Sequence, residues 1–456
     1  MLRRLAHSLG AGLGVAAVCG VAVAHGGSLR GASGSSLAVP TWLFLSTGGA
    51  VVGASFLLAS FVTDRQFVAD VHGWRRALPA PRRLLAWAGQ ALGVAAFVVL
   101  VVAGFFGPAD PLRNAAIVLV WVAWWAGLVM ATYLVGNAWP ALDPFRTLTR
   151  PLAWVTDGVR DLNADRAAWA STAFLLALVW VEVVSPLADA PRLLAAAALG
   201  YLALAAVGVV IVGHDTWFGE VDPVSRLFRA YGAVAPVERT GDGISLRVPA
   251  ARLTERVVDT SGGVAFVVAV LWGTTYDGLV GTPAWATVAR AVVDAGVPPV
   301  ALYPAALLVG FVAFHQLYWW AARKARETAP TYTDAATLAV RFAPSLLAIA
   351  AGYHLAHYLV YFLSLSPALV SAVLAPLDPP TAMRLVLPAW LSGVGVAAVL
   401  VGHLLAIWVA HGIAFDELPG RLQAVRSQYA LTAVMVFYTM SSMWIVSQPA
   451  GSPPFL

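Results

Sequence analysis

The sequence predicts an all-α fold, a polytopic integral membrane bundle of about ten transmembrane helices behind an N-terminal signal segment. Three observations predict it. Hydrophobic residues make up 60% of the chain and charged residues 11%, with a mean hydropathy of +0.78. A soluble domain carries about 25% charged residues. Apolar runs of about 20 residues, enough helix to cross roughly 30 Å of hydrocarbon, recur along the whole chain. Basic residues fall on alternate loops.

The first residues, MLRRLAHSLGAGLGVAAVCGVAVAHGG, put two Arg before an apolar stretch that ends in Ala22-Val23-Ala24. That is a signal-peptide layout with an A-x-A cleavage site, so 1–24 reads as a signal peptide or signal anchor. Cleavage after Ala24 makes His25 the mature amino terminus. The one cysteine, Cys19, excludes an intramolecular disulfide framework and a Cys-rich metal site. The formal charge is +5. The Arg residues are scattered and Lys324 is the one lysine, so no block marks a nucleic-acid surface.

The rest, 25–456, reads as one transmembrane domain. Spans are expected at about 40–62, 85–106, 112–135, 167–186, 192–212, 259–275, 299–321, 337–363, 386–410 and 428–447. Helices are the default because backbone polar groups have no other partner in lipid. With the amino end outside, the inward loops hold twenty basic residues, among them Arg65, Arg146, Arg226, Arg323 and Arg421. The outer segments hold five: Arg30, Arg113, Arg192, Arg290 and Arg384. The positive-inside rule then puts the basic loops in the cytoplasm of a plasma-membrane protein. Pro236–Ala250 predicts a small cytoplasmic hairpin. Thr282–Gly296 predicts a short interfacial helix with Thr282 as its N-cap.

One cadence occurs twice just inside the cytoplasmic boundary: WPALDPFRTLTR (Trp139–Arg150) and WFGEVDPVSRLFR (Trp217–Arg229). Asp143-Pro144 and Asp222-Pro223 each read as an N-cap followed by a first-turn proline. The tryptophans suit an aromatic belt and the arginines suit lipid phosphates. The expectation is a short helix lying on the inner leaflet.

Ionisable residues inside spans are costly and are functional candidates. They form two layers. Near the outer surface are Glu182, Asp277, His354 and His357, with His25 outside as well. Carboxylates and imidazoles converging from several helices suit a divalent metal, copper or zinc, or protons. A free terminal His25 adds two nitrogens that suit Cu(II). The bland alternative is that these groups hydrogen-bond neighbouring helices and loops. Nearer the inner surface are His214, Asp215, His315, His403 and His411. His315 and His403, on different helices at similar depth, are candidate axial ligands of a haem. The competing expectation is that His214, His315 and His411 keep polar tips at the headgroups. Met440 and Met443 are candidate Cu(I) thioethers, or gap fillers. No phosphate-binding GxxxxGK[ST], HExxH, GxSxG or dinucleotide fingerprint occurs.

Several pieces together resemble a family of polytopic membrane proteins labelled fenitrothion hydrolase-like, found in actinobacteria and haloarchaea. They are Ala24–Gly26, Val39–Phe44, Trp180–Glu182, Thr274–Gly278, Ala356–Tyr358, Gly402–His411 and Val425–Tyr429. The label implies organophosphate hydrolysis. The resemblance points to His25, Glu182, Asp277, His357, His403 and His411, and not to His354 or His315. Where the family usually carries Asn-Pro, this chain has Asp143-Pro144.

The leading expectation is a membrane protein that handles or transports a transition metal or small solute through an outer-facing site of Glu182, Asp277 and His357, with His25 as a further copper ligand. One alternative is a metal-dependent hydrolase with Asp277 or Glu182 as general base. The other is a non-catalytic subunit of a membrane complex, with polar residues gluing helices.

Overall fold

The structure, a computed structural model, describes residues 41–79, 82–240, 243–380, 384–388, 390–449 and 451–456. The expected signal segment, 1–24, with Cys19, and His25 after it, lie outside the described residues.

The chain is a helical bundle with one small sheet. Its helices are α1 (Thr41–Ser60), α2 (Arg65–Gly73), α3 (Arg82–Phe106), α4 (Ala115–Leu134), α5 (Pro144–Thr149), α6 (Ala164–Val184), α7 (Pro191–Val212) and α8 (Pro223–Gly232). There follow α9 (Ser261–Val280), α10 (Pro283–Asp294), α11 (Pro299–Thr328), α12 (Ala335–Leu374), α13 (Leu391–Glu417) and α14 (Arg421–Ser447). Among the described residues nine helices are long and apolar enough to cross a membrane. A tenth follows if α1 and α2, bent by 116° at a short break, form one span. Large apolar side chains such as Leu84, Trp87, Leu308 and Val309 stand on the outside of the bundle. Such a surface suits lipid rather than water.

Side-chain oxygens cap the helices where the chain enters them. Asn163 accepts from the Arg166 amide at 2.8 Å, Thr260 from Gly263 at 3.0 Å and Thr282 from Trp285 at 3.2 Å. Asn114 is buried and fully used: its Oδ1 caps α4, and its amide donates to the carbonyls of Ala103 and Pro108. The bend between α1 and α2 is satisfied from α13. His411 Nε2 donates to the Val62 carbonyl at 2.8 Å, and the Arg65 guanidinium donates to the carbonyls of Phe415, Leu418 and Pro419.

The centre is α9, buried along nearly its whole length and packed by α6, α11, α12 and α14. Beside it α12 and α13 cross closely. A Cβ on Gly402 would sit 2.6 Å from the Ala348 carbonyl oxygen, and one on Gly352 would sit 2.5 Å from that of Ala398. Only glycine lets the two backbones approach this far.

At the end of the bundle carrying the basic loops lies the sheet, in order β1 (Arg75–Pro79), β3 (Gly243–Arg247), β2 (Val237–Thr240), all antiparallel. The chain from 236 to 250 pairs with itself and also with β1, a strand the sequence reading did not anticipate. Buried Arg247 binds Glu238 and Glu255, and Arg75 reaches Glu255 at 2.7 Å, so ion pairs lace the strands together.

The repeated cadence is placed differently from expectation. The caps form: Asp143 accepts from the amides of Phe145 and Arg146, and Asp222 from that of Ser225. The second of the two helices, α8, does not lie on a surface. Trp139 and Trp217 are only 5% and 6% exposed, and α8 is enclosed by α4, α6 and α12. Its apolar stripe of Val224, Leu227, Phe228 and Tyr231 found protein rather than lipid, and Trp139 stacks on Phe228 at 4.8 Å.

Candidate functional site

Asp277 stands on the last turns of α9, so it faces neighbouring helices rather than a loop. Its Oδ2 accepts from the Tyr358 hydroxyl at 3.1 Å and lies 3.6 Å from His357 Nε2. Tyr358 and His357 are both on α12, and His354 is one turn earlier on the same face. Glu182 comes from the last turn of α6. All five line one internal cavity, together with Trp125 of α4. The cavity leaves about 30 Å³ for the centres of water-sized molecules, room for about two waters. Its walls are mostly apolar and aromatic. The rings of His354 and Tyr358 lie 4.5 Å apart, and the Trp125 ring approaches both, at 5.7 and 6.1 Å.

The structure thus brings together Glu182, Asp277 and His357, and adds His354, which the family resemblance does not pick out. It does not make them a preformed metal centre. Among the described residues no three of His, Cys, Asp or Glu are grouped to hold a metal ion. His25, the fourth candidate, lies outside the described residues.

Sequence reasoning missed Leu227 and Tyr231. They come from α8, in the second copy of the cadence, and line the same cavity. Their spacing of four marked one helix face, but periodicity does not say whether lipid or protein meets that face. Tyr231 is fully buried, and its hydroxyl has no hydrogen-bond partner among the described residues. His354 is fully buried too. Its Nδ1 meets the Tyr133 hydroxyl at 3.1 Å, while its Nε2 has no partner among the described residues.

The inner layer divides. His315 Nε2 accepts from the Trp319 indole at 3.1 Å, and the ring lies among Trp169, Phe311 and Trp319. His403 is sealed in α13 and donates from Nδ1 to the Val399 carbonyl at 2.8 Å. No hydrogen bond or ring contact joins the two among the described residues. His411 is not a headgroup residue: it is fully buried, donating to Val62 and meeting the Gln428 amide at 3.3 Å. His214 donates from Nε2 to the Arg146 carbonyl at 3.0 Å. Met443 packs into the space that Gly48 leaves between α1 and α14, a filling role.

Away from the cavity, the two Asp-Pro copies meet. Ser225 donates its hydroxyl to Asp143 and its amide to Asp222, and the Tyr201 hydroxyl donates to Asp222. Burial, with the nearby Asp222 charge, pushes the Asp143 carboxyl up to about 7. Burial raises Asp222 as well, against the hydrogen bonds of Ser225 and Tyr201.

Compared with protein-family profiles, curated proteins and solved structures, the chain matches none.

Proposed function

We propose that the chain is a multi-pass plasma-membrane protein that binds and moves a small solute or ion through the Asp277–His357 cavity. In this reading the basic loops lie in the cytoplasm and the Glu182, Asp277 and His357 layer lies toward the outer face. The loop bias supports this orientation.

One observation carries the functional reading. Carboxylates and imidazoles from three helices line a single cavity inside an apolar bundle. Ionisable groups there are costly and mark solute or ion pathways by default. Asp277 and Glu182 supply negative charge, and His357 sits where it exchanges a proton with Asp277. Leu227 and Tyr231 of α8 also line the cavity. Alternating access requires one end to be closed at a time.

A transition metal is the narrower form of the same reading. Copper or zinc would draw on Glu182, Asp277 and His357, with His25 completing the set. Among the described residues no three of His, Cys, Asp or Glu are grouped for that metal. A hydrolase with Asp277 or Glu182 as general base needs that metal to activate water, so it inherits the same gap.

The test is transient current from liposomes carrying the protein on a solid-supported membrane. The probes are jumps in sodium, potassium, ammonium, zinc(II) and copper(II). At least one probe is expected to give a current that Glu182→Gln abolishes while the unfolding midpoint stays put. Currents unchanged in the variant, or none with any probe, overturn the reading.

A further inference from the structure

We propose that the occupant of this cavity is a small N–H cation: ammonium, or an amine as short as methylammonium. The proposal rests on the cavity reading above and names its ligand class.

Size sets the first limit. Room for about two waters admits one or two heavy atoms. Charge sets the second. Asp277 and Glu182 on the lining favour a cation. The aromatic rings favour an ammonium-type cation, because the negative face of an indole or phenol ring attracts one without oxygen ligands. Trp125, His354, Tyr358 and Tyr231 form a nearly continuous ring wall, with neighbouring centroids at 4.5 to 6.1 Å.

Two buried atoms distinguish an N–H cation from a metal or alkali ion. His354 Nε2 and the Tyr231 oxygen both belong to residues lining the cavity, and neither has a hydrogen-bond partner among the described residues. Fully buried polar atoms without partners are costly. When His354 donates from Nδ1 to Tyr133, its Nε2 presents a lone pair. An ammonium ion has four N–H groups and satisfies such scattered acceptors one by one. A transition metal needs three or four converging ligands, which the described residues do not group. An alkali ion is held by a shell of oxygens replacing its water, and this wall is mostly carbon.

The experiment measures thermal unfolding and calorimetric binding of the full-length protein in lipid nanodiscs. Ammonium, methylammonium and tetramethylammonium chlorides are compared with sodium and potassium chlorides at one ionic strength. Ammonium and methylammonium are expected to raise the midpoint saturably, and the other three are not. Tyr231→Phe removes one hydroxyl and little volume, so affinity should fall about three- to tenfold. Asp277→Asn should abolish binding. Equal behaviour of ammonium and sodium in the wild type overturns the proposal. So does tetramethylammonium binding as well as ammonium, or Tyr231→Phe binding unchanged. A current with zinc or copper but not ammonium overturns this inference alone; no current with any probe overturns the cavity reading beneath it.

Discussion

The Ser225 hydroxyl donates to the Asp143 carboxylate across 3.3 Å, joining the two copies of the Asp-Pro cadence inside the protein. The same serine uses its amide to cap against Asp222. The repeat is therefore carpentry of an unexpected kind. Each copy caps its own helix, and the caps then lock α5 to α8, the helix whose Leu227 and Tyr231 line the cavity.

This junction predicts a pH dependence. Buried Asp143, raised to about 7, keeps its proton where the unfolded chain has already lost it. An unfolded aspartate titrates near 3.9. With the folded value above the unfolded one, the contribution is full below about pH 4 and is lost as pH rises through about 7. Its size is at most about 4 kcal/mol. The groups facing the pair are Tyr201, Arg229 and Arg146, and Arg229 draws Asp222 the other way. Asp143→Asn keeps a capping oxygen and cannot ionise. Protection of the amides over 223–232, taken relative to their intrinsic exchange rates, should fall from pH 5.5 to pH 8 in the wild type and much less in the variant. Matching profiles in the two proteins would rule the account out.

What was legible in the sequence follows from what periodicity and charge encode. The apolar runs became the long helices, and the caps at Asp143, Asp222 and Thr282 formed where their spacing put them. Glu182, Asp277 and His357 share a cavity because residues at one depth on neighbouring helices meet when the helices pack. The rest depended on which helices are neighbours, and a single sequence does not encode that locally. His315 and His403 have similar depth but different surroundings. The apolar stripe of α8 is the same stripe whether it faces lipid or protein. Strand β1, Arg75–Pro79, has no alternating pattern; its partner β3 and its Arg75–Glu255 ion pair hold it.

The α12–α13 crossing predicts a cost for the smallest added side chain. Gly402→Ala puts a methyl group 2.6 Å from the Ala348 carbonyl, and backbone cannot swing aside as a side chain can. The helices must part by a few tenths of an ångström or more, costing about 1–3 kcal/mol. The neighbouring His403 moves with its helix, away from its sealed position. A lowered unfolding midpoint in nanodiscs is expected, larger than for alanine at Gly53, where a Cβ meets nothing. Equal midpoints for the two variants would mean the crossing is looser than described.

The last prediction concerns metal. A structural or catalytic zinc takes three or four protein ligands. In the cavity one carboxylate and one imidazole, Asp277 and His357, stand 3.6 Å apart. The described residues group no third His, Cys, Asp or Glu with this pair to complete a metal's ligand set. A metal bound to the folded state alone would stabilise it by about 2.7 kcal/mol at a hundredfold excess over its dissociation constant. Removing such a metal would be plain in the unfolding midpoint. Chelator treatment of the full-length protein is therefore expected to leave the midpoint unchanged. Any copper found by elemental analysis should disappear with His25→Ala, since that histidine is the copper-ligand candidate the sequence places outside the described residues. Stoichiometric copper or zinc surviving His25→Ala and disappearing with His357→Gln would instead mean that α6, α9 and α12 move together to build the site.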